Sequence, residues 1–174
     1  TVLREESFAK PSFFDGKKFL FNKFAEYLRG NAYIIKIDGN LHIYRDGVYE
    51  RSDDYIENEM IKHIPHLSDT MRKEVLKYLQ VLIDKNTPQA PEHMVCFRNG
   101  VYDVIRDEML PFSDRLVFTN KVEWDYNPDA YSEVVDKTLD KIACNDPAIR
   151  SLLEEVVGYS FYGRNELGKA FILV

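Results

Sequence analysis

The sequence has few cysteines and no long apolar run. Only two of its 174 residues are cysteine, Cys96 and Cys144. Two cysteines do not build the disulfide framework of a small secreted domain, so we expect a reducing, cytoplasmic setting. No apolar run approaches the roughly 20 residues that a transmembrane helix needs, and the opening TVLREESFAKPSFF lacks the charged-then-apolar pattern of a secretory signal. The sequence therefore predicts no membrane partner.

Positive charge is also scarce. The chain has 23 Lys and Arg against 29 Asp and Glu, a net charge of -6. This balance disfavours a self-sufficient nucleic-acid-binding protein, because such proteins usually carry a basic excess. The charge is uneven, however: residues 1–36 hold seven basic and four acidic side chains, whereas residues 123–157 hold nine acidic and three basic ones. Two such regions either face each other in an assembly or are ordinary solvated surfaces.

Signatures of catalysis are missing as well. The sequence contains no G-x-S-x-G and no H-E-x-x-H. Residues 163–170, GRNELGKA, come within one residue of the phosphate-binding pattern G-x-x-x-x-G-K-[ST]. However, Ala170 replaces the hydroxyl that would hold Mg²⁺, and the octapeptide precedes the apolar run FILV (171–174) instead of following a strand. We therefore expect no catalytic or cofactor-binding residue in this chain, and we expect Lys169 to be a surface lysine in a turn.

Zinc is the remaining candidate for a bound cofactor. His63 and His66 form an H-x-x-H pair, and His93 and Cys96 form an H-x-x-C pair, so four side chains of zinc-ligand type are available. Pro65 interrupts the first pair, which lies at the end of a predicted helix rather than on a tight knuckle. Surface histidines and a core cysteine explain the same residues. We therefore expect no metal site.

Hydrophobic periodicity predicts an α+β fold in which small antiparallel β-hairpins and meanders pack with several α-helices. The expected helices each carry an apolar stripe at helical spacing and span 17–29, 55–64, 69–85, 127–143 (after an initial turn) and 148–161. The expected helix boundaries are Gly30-Asn31 after the first helix, Asp53 or Asp54 before the second, Ser68 before the third and Asn145-Asp146-Pro147 before the last.

Asp-Gly and Asn-Gly pairs predict the turns between strands. Asp38-Gly39 and Asp46-Gly47 divide residues 32–52 into a three-stranded meander, and Asn99-Gly100 predicts a second hairpin within 94–104. Residues 109–126 are expected to be further extended chain. The loop NTPQAPEH is the best internal boundary, so we expect three parts: residues 1–90, residues 91–163, and residues 164–174 as a linker and strand.

Basic side chains interleave with aromatic ones in two stretches, FFDGKKFLFNKF and IYRDGVYER. Such patterns suit contact with nucleic acid through stacking and phosphate pairing. The candidate DNA-contact residues are Lys17, Lys18, Lys23, Arg45 and Arg51. An amphipathic helix and a strand with one buried face explain the same stretches without any ligand.

Several stretches in a fixed order carry a family resemblance. HIYRDGVYE is followed by FRNGVYDVIRDEMLPFSDRLVFTNKVEWDYNPDA, an acidic helix, and LLEEVVGYSFYGRNELGKAFILV. The chain resembles the accessory domain that precedes the ATPase core in phage and plasmid primase–helicases, which are related to the poxvirus-type primase–helicases. The matching motifs are Asn99-Gly100, Pro111-Phe112-Ser113, Thr119, Asp125-Tyr126-Asn127-Pro128 and Gly158-Tyr159. The resemblance covers roughly residues 30–174, and these are motifs of the fold rather than of catalysis.

The resemblance implies a function for a longer protein, and both ends of this sequence look cut. FILV would be the first strand of a superfamily 3 ATPase core, directly before its Walker A loop. The parent would use ATP and Mg²⁺, assemble as a hexamer and act on DNA in the cytoplasm of a bacterial host, with a primase domain where the family has one. The alternative is a stand-alone, winged-helix-like DNA-binding module made from the helices and the GNLHIYRDGVYE hairpin.

Overall fold

A computed structural model describes residues 12–161, 168 and 170. The described residues form five helices and three small antiparallel sheets, which confirms the predicted α+β class. They divide into two compact units. The first comprises residues up to Arg45 together with Tyr49–Pro88, and the second comprises Asp46–Val48 together with the residues from Gln89 onward. In the described part of the chain, no helix is both long enough and apolar enough to cross a membrane.

The first unit alternates short hairpins with helices. Its elements are β1 (Phe14–Asp15), β2 (Lys18–Phe19), α1 (Phe21–Asn31), β3 (Ile34–Ile37), β4 (Asn40–Arg45), β5 (Val48–Glu50), α2 (Asp53–His63) and α3 (Asp69–Leu82). The prediction that the first helix covers 17–29 was wrong at both ends. Phe14 pairs with Phe19 in a two-residue hairpin, and α1 continues through Gly30 and Asn31.

The predicted meander is confirmed. Strands β3, β4 and β5 form one antiparallel sheet in that order. Asp38 and Gly39 have φ angles of 47° and 77°, and Asp46 and Gly47 have φ angles of 47° and 90°. Positive φ at both central residues defines the type I′ turn that Asp-Gly favours.

Three helices supply most of the first unit's core. Phe24 and Leu28 of α1, Ile56 and Met60 of α2, and Val75 and Leu79 of α3 are all fully buried. Each pair is spaced by four residues, so each helix turns one stripe inward. Ile34, Leu41 and Ile43 of the meander close the same core.

The helix caps follow the predicted chemistry with one correction. Ser68 accepts a hydrogen bond from the backbone N–H of Met71 and caps α3, as predicted. The cap of α2 is Ser52, which accepts from the backbone N–H of Tyr55, and not Asp53 or Asp54. The two aspartates lie instead in the first helical turn, where their negative charge interacts favourably with the positive end of the helix dipole.

The second unit contains a three-stranded sheet and a helical hairpin. Its further elements are β6 (Met94–Phe97), β7 (Gly100–Asp103), β8 (Glu108–Leu110), α4 (Glu133–Ile142) and α5 (Pro147–Tyr159). The predicted hairpin is confirmed, but its turn lies at Arg98-Asn99 and not at Asn99-Gly100, because Gly100 already pairs with Phe97 as the first residue of β7. Pro147 begins α5 and Asp146 caps it, as predicted. Residues 109–126 were predicted to be extended, but strand structure ends at Leu110. Beyond it, one isolated β-bridge joins Val122 to Phe97.

A small apolar cluster anchors the second unit's sheet. Val48, Cys96 and Val101 are buried together. Burial raises the pKa of the Cys96 thiol above its ordinary value, whereas Cys144 is exposed. The two cysteines therefore differ in access, and the buried Cys96 thiol has its pKa raised by its surroundings.

We expect the two cysteines to react at very different rates. The thiolate is the reactive form, so the exposed Cys144 should be alkylated quickly and Cys96 much more slowly. Timed iodoacetamide labelling followed by peptide mass spectrometry measures both rates in one sample. In guanidinium the rates should converge. Equal rates in the native protein would contradict the packing around Cys96.

Candidate nucleic-acid interface

Motifs that lie 27 residues apart in the sequence meet in the second unit. Arg98 donates two hydrogen bonds to the Asp125 carboxylate, from Nε to Oδ1 at 2.9 Å and from Nη2 to Oδ2 at 2.8 Å. The Asn99 side chain donates to the Tyr126 carbonyl at 3.0 Å and accepts from the Tyr126 N–H at 2.9 Å. A single amide side chain thus satisfies both backbone groups of Tyr126. The Asn-Gly and Asp-Tyr-Asn-Pro motifs are therefore two halves of one structural contact.

Aromatic rings complete this contact. The Tyr126 ring stacks on Tyr102 with centroids 4.2 Å apart and packs against Phe97 at 5.3 Å. The Tyr102 hydroxyl is hydrogen-bonded to Asp107, and this bond raises the pKa of Tyr102 well above its ordinary value. The phenol therefore stays protonated, and the cluster holds the chain together rather than supplying a reactive group.

An arginine joins the two helices of the helical hairpin. Arg150 of α5 donates to Asp136 at 2.6 Å and to Asp140 at 2.5 Å, both on α4, and to Glu154 at 2.8 Å on its own helix. Its hydrogen bond and charge lower the pKa of Asp136, while these carboxylates raise the pKa of Arg150. One cation thus compensates part of the acidic excess between residues 123 and 157.

The Arg150 contact predicts a specific pH dependence. Because the folded-state pKa of Asp136 is lowered, its contribution to stability is complete above the unfolded pKa of about 3.9. That contribution is lost as the pH falls through the lower folded-state value. Carboxyl ¹³C chemical shifts should give an Asp136 midpoint below the value of about 3.9 for an aspartate in a model peptide. In Arg150→Met the Asp136 midpoint should rise to the ordinary value or above it. An unchanged midpoint would show that Arg150 does not hold this carboxylate.

The helical hairpin also exposes apolar side chains. No residue of α4 or α5 is buried, and both helices carry large hydrophobic residues at the surface. We use the name α4–α5 apolar face for the large exposed apolar residues of these two helices, which are 44–76% exposed: Val134, Val135, Ile142, Ile149, Leu152 and Val157. Exposed apolar groups gathered on one helix pair mark an interaction surface more often than scattered ones do.

All five predicted DNA-contact residues lie at the surface of the first unit. Lys17 lies in the β1–β2 turn, Lys18 on β2, Lys23 on α1, Arg45 at the end of β4 and Arg51 between β5 and the N-cap of α2, and all five are exposed. Arg45 and Arg51 line two separate grooves. Arg51 shares its groove with Asp53 and Asp54, whose negative charge opposes phosphate binding.

The groove around Arg45 is lined by aromatic rings. We call it the tyrosine groove; it has a volume of about 710 Å³ and is lined by Asn31, Ala32, Tyr33, Ile43, Tyr44, Arg45, Tyr55, Asn58, Glu59 and Lys62. The Arg45 guanidinium lies 3.9 Å from the centroid of the Tyr55 ring. The Tyr33 and Tyr44 rings meet edge to face at 6.3 Å. Sequence reasoning found Arg45 but missed Tyr33, which follows α1, and Tyr55 and Lys62, which both lie on α2, because Arg45 meets them only in the folded chain.

The model of one protein family, described as D5 N terminal like, matches residues 12–158. The chain belongs to this family. The family comprises the N-terminal region of D5-like phage and poxvirus primase–helicase proteins. No curated protein matches the chain. The family match confirms the resemblance that the ordered motifs indicated.

The motifs shared with the D5 N terminal like family make structural contacts in this chain. The contacts of Asn99, Asp125 and Tyr126 are hydrogen bonds and ring stacking that hold the second unit's loops together. Within residues 12–161, 168 and 170, no group of three or more His, Cys, Asp or Glu side chains is arranged to hold a metal ion. Most of the P-loop-like octapeptide and the predicted FILV strand lie outside the described residues.

Proposed function

We propose that this chain is a non-catalytic accessory domain of a replicative DNA helicase–primase of a phage or mobile element. The observation that carries the proposal is the match of residues 12–158 to the D5 N terminal like family. The parent protein would hydrolyse ATP with Mg²⁺ as a hexameric ring and unwind DNA in the cytoplasm of a bacterial host. The chain itself would supply no catalytic group.

Among the roles open to such a domain, assembly of the ring has the most support. The α4–α5 apolar face is exposed, and it lies within the acidic stretch 123–157. Residues 1–36 carry the opposite excess, with seven basic and four acidic side chains. A surface of one copy would thus attract a different surface of the next copy. Such head-to-tail contacts generate rings when the rotation closes.

Deletion of the domain tests this role. The full gene product and a variant lacking residues 12–158 are compared by mass photometry. We expect rings from the full protein and mainly smaller species from the variant. A variant that forms the same rings would contradict the assembly role. Coupling to a primase domain or guidance of DNA would then be the remaining accessory roles.

A stand-alone winged-helix-like DNA-binding module is the second candidate. The observation that favours it is the first unit, where three helices share a core with an antiparallel meander and all five predicted contact residues are exposed. This candidate predicts that the isolated chain shifts duplex DNA with a salt-dependent affinity. The accessory-domain proposal predicts weak or no duplex binding, in keeping with the net charge of -6.

A further inference from the structure

We propose that the tyrosine groove binds single-stranded nucleic acid, with a base stacked on Tyr33 and a phosphate held by Arg45. The inference rests on the proposed function only for the choice of nucleic acid as the ligand. It adds a specific binding site, which the family match and the assembly role do not assign. The groove volume of about 710 Å³ lies in the range of sites that hold small organic groups, so a nucleotide fits it.

Tyr33 is held in a backbone conformation that its side chain does not favour. It follows Ala32, the C-cap of α1, and its φ is 48°, in the left-handed region. Glycine or asparagine usually occupies this position after a helix, because a Cβ is disfavoured there. The Tyr33 side chain is nevertheless 49% exposed, so burial of the ring does not explain the choice of residue. Strain of this kind, which packing does not require, is typical of functional positions.

Arg45 supplies positive charge beside the ring. Its guanidinium stacks on Tyr55, and the described residues include no carboxylate paired with it. A guanidinium in cation–π contact with a ring keeps N–H donors for a further ligand. A phosphate is the ligand that such a fork recognises most readily.

Lys62 and Glu59 complete the charge balance of the groove. Lys62 donates to Glu59 at 2.6 Å, and His63 lies 3.6 Å from the same carboxylate. The acidic member of the groove is therefore already compensated, and the Lys62 side chain is 71% exposed. Lys62 is therefore engaged with Glu59, and Arg45 is the cation of the groove that remains for a phosphate.

Single strands suit the site better than duplexes. An exposed ring stacks on a base only when the face of that base is open, which is the case in a single strand. A proline-rich peptide also binds aromatic-lined grooves, but it offers no anion to Arg45. The charge beside the ring therefore favours a nucleic acid.

The test measures binding of a fluorescent oligo-dT of about 12 nucleotides to the chain by anisotropy at low salt, a length within the usual site sizes. Tyr33→Phe should bind as the native protein does, whereas Tyr33→Gly should bind about tenfold more weakly or worse. Tyr33→Gly should also melt no lower than the native protein, because glycine suits the left-handed conformation. A loss of binding without a loss of stability separates stacking from a structural role.

The proposed contact between Arg45 and a phosphate is tested through the salt dependence of oligo-dT binding. Arg45→Ala should reduce the slope of log K against log salt by about 0.7, the value for one phosphate contact on a single strand. Tyr131→Ala and Arg115→Ala, exposed residues of the second unit, are the matched controls and should leave binding unchanged. The proposal is overturned if the native chain does not bind oligo-dT, or if Tyr33→Gly binds it as tightly as the native chain does. It is also overturned if the chain prefers duplex DNA, or binds a polyproline peptide instead of oligo-dT. These outcomes leave ring assembly by the parent untouched, so the two proposals fail separately.

Discussion

Replacing Gly100 by alanine should unfold the sheet of the second unit at much lower denaturant concentration than the native protein requires. Gly100 opens β7 with a φ of 151°, a conformation that residues with a side chain rarely adopt. A Cβ at this position would lie 2.7 Å from the carbonyl oxygen of Leu110 on β8. That oxygen is part of the backbone and is not free to rotate away. The backbone conformation alone costs about 1–3 kcal/mol, and the displaced strand adds to this.

Gly158→Ala is the matched control for this change. Gly158 lies within α5, and an added Cβ there would have no atom within 4 Å. Alanine is favoured over glycine in a helix by about 1 kcal/mol, so this variant should be as stable as the native protein or more so. Hydrogen exchange over residues 94–110, measured by mass spectrometry, reports the sheet directly. Equal protection of the two variants would contradict the close approach of β7 and β8.

Replacing two apolar residues of the α4–α5 apolar face by lysine should weaken self-association by about two orders of magnitude. The double variant Val134→Lys/Ile142→Lys replaces side chains that are 76% and 58% exposed, so the fold of the domain loses no buried group. Lysine is a good helix former, and at position 142 it also favours the helix end. The new charges would repel the basic surface that we propose for the neighbouring copy. Two central interface residues at about 1–2 kcal/mol each imply association weaker by about two orders of magnitude.

A second double variant provides the control for charge. Val81→Lys/Ile105→Lys changes the same residue types at 76% and 74% exposure, outside the helical hairpin. Sedimentation velocity over a range of protein concentrations compares the three proteins. We expect the native chain and the control to associate alike, and raised salt to weaken both. A native chain that stays monomeric, or association that survives the Val134/Ile142 change, would contradict an interface on this face.

Local sequence signals were sufficient for turns and caps. Asp38-Gly39 and Asp46-Gly47 predicted type I′ turns because the geometry of such a turn depends on its own two residues. Ser68 and Pro147 marked helix starts for the same reason, since a cap bonds backbone groups only two or three residues away. The class of fold followed from these local elements.

The features that the sequence did not predict depend on contacts between residues that are far apart in the chain. Asn99 was read as a turn residue, and its bonds to Tyr126 depend on how a loop 27 residues later returns to the sheet. Gly30-Asn31 was expected to end α1, but the helix includes both residues, since a glycine lowers helix stability without by itself ending a helix. The DNA contacts at Lys17, Lys18, Lys23, Arg45 and Arg51 stay predictions.

ATP hydrolysis by the full gene product is the measurement that tests the accessory-domain account most directly. It is compared with hydrolysis by the isolated chain, with Mg²⁺ and with or without single-stranded DNA. The account predicts DNA-stimulated hydrolysis by the full protein and none by the chain alone, since no catalytic residue is assigned to it. A folded full protein without activity under varied metals and DNAs would contradict the account, and so would hydrolysis by the isolated chain.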